Sequence, residues 1–180
     1  MPRKRTLIIV AVAPFALAAC GDKTNVNLVA PSANAAVSIL DQCDSATFNA
    51  TLGAGACTHA GSMTLAAFNS ELNATGRVAA WTFDPTSLTL RTGQAITATN
   101  LGGEEHTFTE VQQFGGGIVP ALNAASGNNV VAPECSETTA ADHIKPGASM
   151  TTDPETQIGV HRYQCCIHPW MREVVTVTGP

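Results

Sequence analysis

Short stretches of alternating apolar and polar residues dominate the chain from residue 78 to its end, and glycine, proline or asparagine separates them. Alternation with a period of two is typical of strands that bury one face, and the separating residues predict turns. Several short strands at such close spacing favour an antiparallel β-sandwich or barrel. We predict strands at residues 78–83, 87–91, 94–100, 106–111, 148–152, 160–165 and 174–179.

Residues 37–76 show a different pattern, which predicts one amphipathic helix packed on the strand-rich domain. Apolar residues recur there at intervals of three and four, a capping residue precedes them and a glycine follows. The apolar residues are Leu65, Phe68 and Leu72, the capping residue is Ser62 or Thr64, and the glycine is Gly76. A long irregular stretch at 112–145 interrupts the strands, and its role cannot be predicted from the sequence.

The first 19 residues predict export. A basic start is followed by an apolar run at residues 7–17 and then by small residues, which is typical of a signal peptide. The Leu-Ala-Ala-Cys sequence that ends at Cys20 resembles the lipobox of bacterial lipoproteins, in which the cysteine is lipidated. The alternative is ordinary cleavage after Ala16-Leu17-Ala18, which would leave a soluble secreted protein.

The lipobox resemblance, the residue composition and the change of pattern near residue 77 together divide the chain into four segments. We expect a signal peptide at 1–19, a lipidated tether at 20–36, a helical, disulfide-bearing extension at 37–76 and a β-domain at 77–180. Gly21 follows the cysteine, and by the same resemblance it indicates a periplasm-facing anchor in the outer membrane. Nucleic acid is disfavoured as a partner because the net charge is −5 and there is no basic surplus to neutralise phosphates.

Three potential metal ligands follow one another near the C-terminus. Cys165, His168 and Met171 have the spacing Cys-x-x-His-x-x-Met, in a turn between two predicted strands. Thiolate, imidazole and thioether together favour copper, and two histidines, one cysteine and an axial methionine form the blue-copper set. His106, at the head of an upstream strand, is the candidate for the second histidine. Zinc bound by Cys165, Cys166 and His168 is less favoured, because neighbouring residues of a strand point to opposite faces.

The region from residue 78 onward resembles the cupredoxin family of small blue copper proteins, over about a hundred of the 180 residues. Its Cys-x-x-His-Pro-Trp-Met-Arg loop is similar to the ligand loop of amicyanin. The resemblance implies a Greek-key β-sandwich, one type 1 copper ion and electron transfer with redox protein partners. It also implies that the His168 edge is the electron port and that Pro169 and Trp170 form an apolar docking patch. Family members commonly have asparagine directly after the first histidine, where it locks the ligand loop. This chain departs from that pattern with Thr107, whose hydroxyl we expect to act similarly but more weakly.

Four other cysteines are expected to form disulfides, because an exported chain enters an oxidising compartment. Three pairings are possible, and the sequence does not choose among them. We favour Cys43 with Cys57, which closes a short loop, and Cys135 with Cys166. If Cys165 faces the metal, Cys166 faces away and can meet the long loop. The alternative is a free Cys166 that acts in copper loading.

The sequence therefore predicts an all-β, cupredoxin-like protein of the cell envelope that carries single electrons by Cu(I)/Cu(II) cycling. An enzyme is not expected, because no general base, open coordination position or substrate pocket is indicated. Two alternatives are a copper carrier or storage protein with the same ligands, and a metal-free binding module that uses the loop at 112–145.

Overall fold

A computed structural model describes residues 33–179 of the chain. The predicted signal peptide, Cys20 and most of the predicted tether lie outside the described residues. Within residues 33–179, no helix is long and apolar enough to cross a membrane.

Ten strands and four α-helices make up the described part of the chain, with one 3-10 turn at Ala140–Asp142. The strands are β1 Ala35–Leu40, β2 Thr82–Asp84, β3 Ser87–Arg91, β4 Ile96–Asn100, β5 His106–Thr107, β6 Thr109–Glu110, β7 His143–Ile144, β8 Ser149–Thr151, β9 Gly159–Gln164 and β10 Arg172–Thr178. The helices are α1 Ser45–Leu52, α2 Leu65–Thr75, α3 Pro120–Ala125 and α4 Pro133–Ser136.

Most strands belong to two four-stranded sheets, and the predicted all-β sandwich is confirmed. The order is β2-β1-β4-β8 in one sheet and β3-β10-β9-β6 in the other, while β5 and β7 form a separate pair. Most pairings are antiparallel, and β1–β4 and β3–β10 are parallel. The two sheets hold the core between them, as the alternating pattern requires.

The alternation of apolar and polar residues along the strands explains which side chains form the core. In β1 the side chains of Val37 and Ile39 are buried, and in β10 those of Val175 and Val177 are buried, while their neighbours face outward. Removing a side chain of this size from water contributes about 1.5–3 kcal/mol. The period-two pattern therefore predicts which face of these strands turns inward.

Helix α2 matches the predicted helix. The Thr64 side chain accepts a hydrogen bond from the Ala67 backbone N–H and caps the start. Gly76 ends the helix with a φ of 72°, a left-handed conformation that glycine adopts without strain. Phe68 and Leu72 are buried, so the apolar stripe packs against the core as the spacing indicates.

The structure differs from the sequence prediction in residues 35–52. The stretch read as the end of a tether and the start of an extension forms β1, which pairs with β4 over five residue pairs and also with β2. The sequence AAVSIL alternates, but it follows a run of small residues and does not stand out from them. Helix α1, capped by the Asp44 side chain, was not predicted because its apolar pattern is weak.

Candidate metal centre

The short strand β5 brings His106 into the interior. It follows the Gly102–Glu105 turn, and His106 pairs with Ile144 of β7. The imidazole is fully buried. A buried histidine needs partners for both ring nitrogens, and each of the two has one in this structure.

Cys165, His168 and Met171 lie in the tight turn between β9 and β10. The Cys165 backbone N–H donates to the Met171 carbonyl at 3.0 Å, and the Met171 N–H donates to the His168 carbonyl at 2.9 Å. These two bonds close the turn on itself. Arg172 adds a third constraint, because its Nε donates to the Pro169 carbonyl at 2.8 Å. The loop is thus held by two backbone hydrogen bonds and by the Arg172 side chain.

The Cys165 sulfur lies between the two histidines. Its Sγ is 3.8 Å from Nδ1 of His106 and 3.8 Å from Nδ1 of His168. All three residues are buried, and their potential ligand atoms lie within 4.8 Å of one another. Met171 is buried in the hydrophobic core that also contains Cys165. The structure therefore brings His106, Cys165 and His168 together and places Met171 in the same closed turn as Cys165 and His168.

These separations can be compared with those of a metal site. Metal–thiolate and metal–imidazole bonds are about 2.3 and 2.0 Å long. In a trigonal arrangement such bonds place sulfur and nitrogen about 3.7 Å apart. The observed sulfur–nitrogen distances of 3.8 Å match this value without any movement of the side chains.

The environment of Cys165 favours the thiolate, which is the metal-binding form. Burial alone would raise the pKa of this thiol, but hydrogen bonds from His106 and His168 outweigh burial and hold the pKa well below its usual range. The backbone N–H groups of Thr107 and His168 also point at the sulfur, each at 3.4 Å. A negative sulfur is therefore stabilised before any metal binds.

A carboxylate binds the outer nitrogen of His106. Oδ2 of Asp41 lies 2.9 Å from Nε2, and both side chains are fully buried. Burial would raise the pKa of Asp41, but the hydrogen bonds from His106, Glu104 and Gly103 outweigh it and lower that pKa below its usual range. The same bond, together with the nearby thiol, raises the pKa of His106 to about 9 against the effect of burial.

A second carboxylate lies near the outer nitrogen of His168. Oε2 of Glu104 is 3.5 Å from Nε2 of His168 and accepts a hydrogen bond from the Trp81 indole N–H at 2.6 Å. Burial raises the pKa of Glu104, while the charge of His168 and the Trp81 bond act in the opposite direction. Each candidate ligand histidine therefore has a carboxylate near its Nε2, the nitrogen that is not directed at Cys165.

Thr107 connects the strand of His106 to the ligand loop. Its hydroxyl accepts a hydrogen bond from the Cys166 backbone N–H at 2.7 Å, and its own N–H points at the Cys165 sulfur. Both groups are buried. This contact joins the two segments that supply His106 and Cys165.

The residues of the predicted docking patch and electron port have little solvent exposure. His168 is only 4% exposed, Pro169 is buried and Trp170 is half-buried. Trp170 packs on the His168 ring at 5.5 Å and on Phe68 of α2 at 5.9 Å, both measured between ring centroids. Phe68 of α2 thus covers part of Trp170, and the docking patch at Pro169 and Trp170 stays a prediction.

The structure contains both favoured disulfides. Cys43 pairs with Cys57 and Cys135 pairs with Cys166, with Cα separations of 6.1 and 5.3 Å. Cys165 is a free, buried thiol. The second disulfide belongs to a small apolar cluster with Val111 and Ala132, which is separate from the main core that contains Cys165. The alternative of a free Cys166 is thereby overturned.

Sequence analysis did not find Asp41, Glu104 or Trp81. Asp41 follows β1, which the sequence pattern did not predict as a strand. A single carboxylate forms no recognisable sequence motif that would indicate its role. The available signal was the pair Gly102 and Gly103. A Cβ on Gly102 would overlap the Asp41 carboxylate, which shows how closely the turn approaches it.

Comparison with known proteins finds similarity to solved structures alone. No family model matches the chain, and no curated protein matches it. The similar structures include a purple cupredoxin from Nitrosopumilus maritimus, with 16% identity over 81% of this chain and 100% of the other and a TM-score of 0.45. Oxidised plastocyanin from Dryopteris crassirhizoma matches with 16% identity over 80% and 100%, at a TM-score of 0.41. A Cu(I) amicyanin variant matches with 18% identity over 54% of this chain and 73% of the other, with a TM-score of 0.37. These neighbours are cupredoxins, the family that the ligand loop resembles.

Proposed function

We propose that this protein binds one copper ion and carries single electrons by cycling it between Cu(II) and Cu(I). The observation that supports this most directly is the position of the Cys165 sulfur, 3.8 Å from Nδ1 of both His106 and His168. Two imidazoles and one thiolate, with a buried thioether nearby, form a soft donor set that favours copper. The same separations would admit Zn²⁺, but the thioether of Met171 adds a ligand type that copper prefers.

In this proposal each residue has a distinct role. Cys165 would supply a strong thiolate bond, and His106 and His168 would supply two imidazole nitrogens. Met171 would supply a weak thioether contact that tunes the reduction potential. Bound copper would supply the one-electron chemistry.

The surroundings of these residues suit electron transfer, because the donor atoms are already in place. The turn is closed by backbone hydrogen bonds, Thr107 ties it to the His106 strand, and burial excludes water. Donors held in this way need little rearrangement when one electron is added or removed. A protein that transfers copper to an acceptor protein would instead need ligands that the acceptor can contact. Here Trp170 covers His168, which favours electron transfer over copper transfer.

The proposed partners are redox proteins that bind briefly and weakly. Trp170 is the half-buried member of the ligand loop, it contacts His168, and it is therefore the proposed point of electron exchange. Small interfaces are typical of transient redox encounters. We also propose that the protein acts in the cell envelope on a lipid anchor at Cys20. The signal sequence supports this location, and so do two disulfides, which persist in oxidising compartments.

Repeated voltammetry of the copper-loaded protein tests this function. An electron carrier is expected to give a reversible one-electron wave and to keep one copper per chain through many cycles in the presence of a competing Cu(I) chelator. Loss of copper to the chelator on first reduction would contradict the carrier function and favour copper delivery. Cys165→Ala provides the control, because it removes the thiolate and should abolish the wave.

A further inference from the structure

Asp41 has a hydrogen-bonding arrangement that the proposed ligand set does not require. Its Oδ1 accepts hydrogen bonds from the backbone N–H groups of Cys43 at 3.1 Å and Gly103 at 3.0 Å. Its Oδ2 accepts from the Glu104 N–H at 3.0 Å and lies 2.9 Å from Nε2 of His106. The side chain is fully buried. With three N–H donors already on its oxygens, this carboxylate is ionised and acts as an acceptor toward His106.

This arrangement determines which nitrogen of His106 carries a hydrogen. Because Asp41 is an acceptor, Nε2 carries a proton in both charge states of the ring, so the proton that a metal displaces is the one on Nδ1. Nδ1 is the nitrogen that faces the Cys165 sulfur. The carboxylate thus orients the ring and makes the imidazole a stronger donor, as partners of metal-bound histidines commonly do.

The charge of Asp41 has a further consequence. The site already contains the Cys165 thiolate, and it is closed to water. Reduction of bound Cu(II) to Cu(I) would make this buried site more negative by one charge. A fixed carboxylate at His106 opposes this step, because charges interact more strongly where water is excluded.

We propose that Asp41 is a positioning residue that holds Nδ1 of His106 toward the metal and, through its charge, lowers the reduction potential of the copper. The proposal rests on the function proposed above. Glu104 has a related position behind His168, but its distance of 3.5 Å is longer than a hydrogen bond, and its carboxylate oxygen is shared with Trp81. Its influence on the potential should therefore be smaller than that of Asp41.

The reduction potentials of Asp41→Asn, Glu104→Gln and the native protein test this difference. We expect Asp41→Asn to favour Cu(I) by at least tenfold at a fixed electrode potential, which corresponds to an increase of about 59 mV or more for one electron. Glu104→Gln should shift the ratio in the same direction but less. Asp153→Asn, on an exposed loop residue, is the matched control and should leave the potential unchanged. An unchanged potential in Asp41→Asn, with the copper spectrum intact, would overturn the proposal.

Asp41→Asn could fail to fold, because it leaves buried N–H groups without their acceptor. Nuclear magnetic resonance of the native protein therefore provides a second test. In both the metal-free and Cu(I) forms we expect a slowly exchanging proton on Nε2 of His106. A His106 without that proton would overturn the role of Asp41. Absence of a thiolate–copper spectrum, with the Nε2 proton still present, would count against the copper function alone.

Discussion

The hydroxyl of Thr107 accepts a hydrogen bond from the backbone N–H of Cys166 at 2.7 Å, and this bond joins the strand of one candidate ligand to the loop of the other three. Replacing Thr107 by the isosteric valine leaves that buried N–H without an acceptor. We expect Thr107→Val to lower the free energy of unfolding by about 1–3 kcal/mol.

Urea unfolding of the metal-free protein measures this loss. Thr107→Ser is the matched control, because it retains the hydroxyl and loses one methyl group, a change of about 0.8 kcal/mol. A valine variant as stable as the native protein would show that the bond contributes nothing to the fold.

Gly102 allows the turn before His106 to pass directly over Asp41. A Cβ at this position would overlap the Asp41 carboxylate and would lie 2.9 Å from its backbone nitrogen. Gly102→Ala should therefore displace the carboxylate and destabilise the protein by about 1–3 kcal/mol. Thermal unfolding compares it with Gly179→Ala, where the added carbon would be 4.0 Å from the nearest side chain. Equal melting temperatures for the two variants would refute the close approach.

The disulfide Cys135–Cys166 closes a larger loop than Cys43–Cys57, with sequence separations of 31 and 14. In the loop-entropy model, removing the first should cost about 4 kcal/mol and removing the second about 3 kcal/mol. Double alanine variants of each pair, compared by denaturant unfolding, measure both losses. A smaller loss for the Cys135–Cys166 pair would show that the loop at 112–145 is ordered by other contacts.

Glu173 introduces a pH dependence into the stability of the metal-free protein. It is fully buried, neither carboxylate oxygen has a hydrogen-bond partner, and burial raises its pKa to about 8. In the unfolded chain the carboxyl ionises near its ordinary pKa of 4.5. Between these values the folded state binds more protons than the unfolded state. Stability should therefore fall as pH rises from about 4.5 to 8, by at most about 1.4 kcal/mol per pH unit.

Glu173→Gln removes this ionisable group and retains the shape of the side chain. We expect the variant to gain stability relative to the native protein as pH rises from 5 to 8, as measured by urea unfolding at several pH values. Glu137→Gln, at an exposed position, is the control and should show no such trend. A difference between Glu173→Gln and the native protein that does not change with pH would show that Glu173 is already ionised in the folded state.

The parts of the fold that were predictable depend on local patterns. Alternation predicted most of the strands, and the capping residue and Gly76 predicted both ends of α2. The ligand loop was recognisable because Cys165, His168 and Met171 are close in sequence and must meet when the turn closes. Both disulfides agree with the favoured pairing.

The remaining features depend on contacts between distant residues. Asp41 reaches His106, 65 residues later, through the parallel pairing of β1 with β4, which no local pattern indicates. Trp170 covers His168 and packs in turn on Phe68 of α2, whose spacing predicts that it is buried but not which side chain it contacts. The sequence thus indicates the candidate ligands, whereas only the three-dimensional structure shows the carboxylates and the aromatic side chains that surround them.

The most direct test of a copper site at Cys165 is to load the purified protein with Cu(II) and record visible absorption and electron paramagnetic resonance spectra. We expect one copper per chain, an intense thiolate-to-copper band and narrow hyperfine splitting. These features should be lost in Cys165→Ala and retained in His59→Gln, a control at an exposed histidine. A pale, tetragonal copper spectrum that is unaffected by the loss of Cys165 would contradict the proposed site.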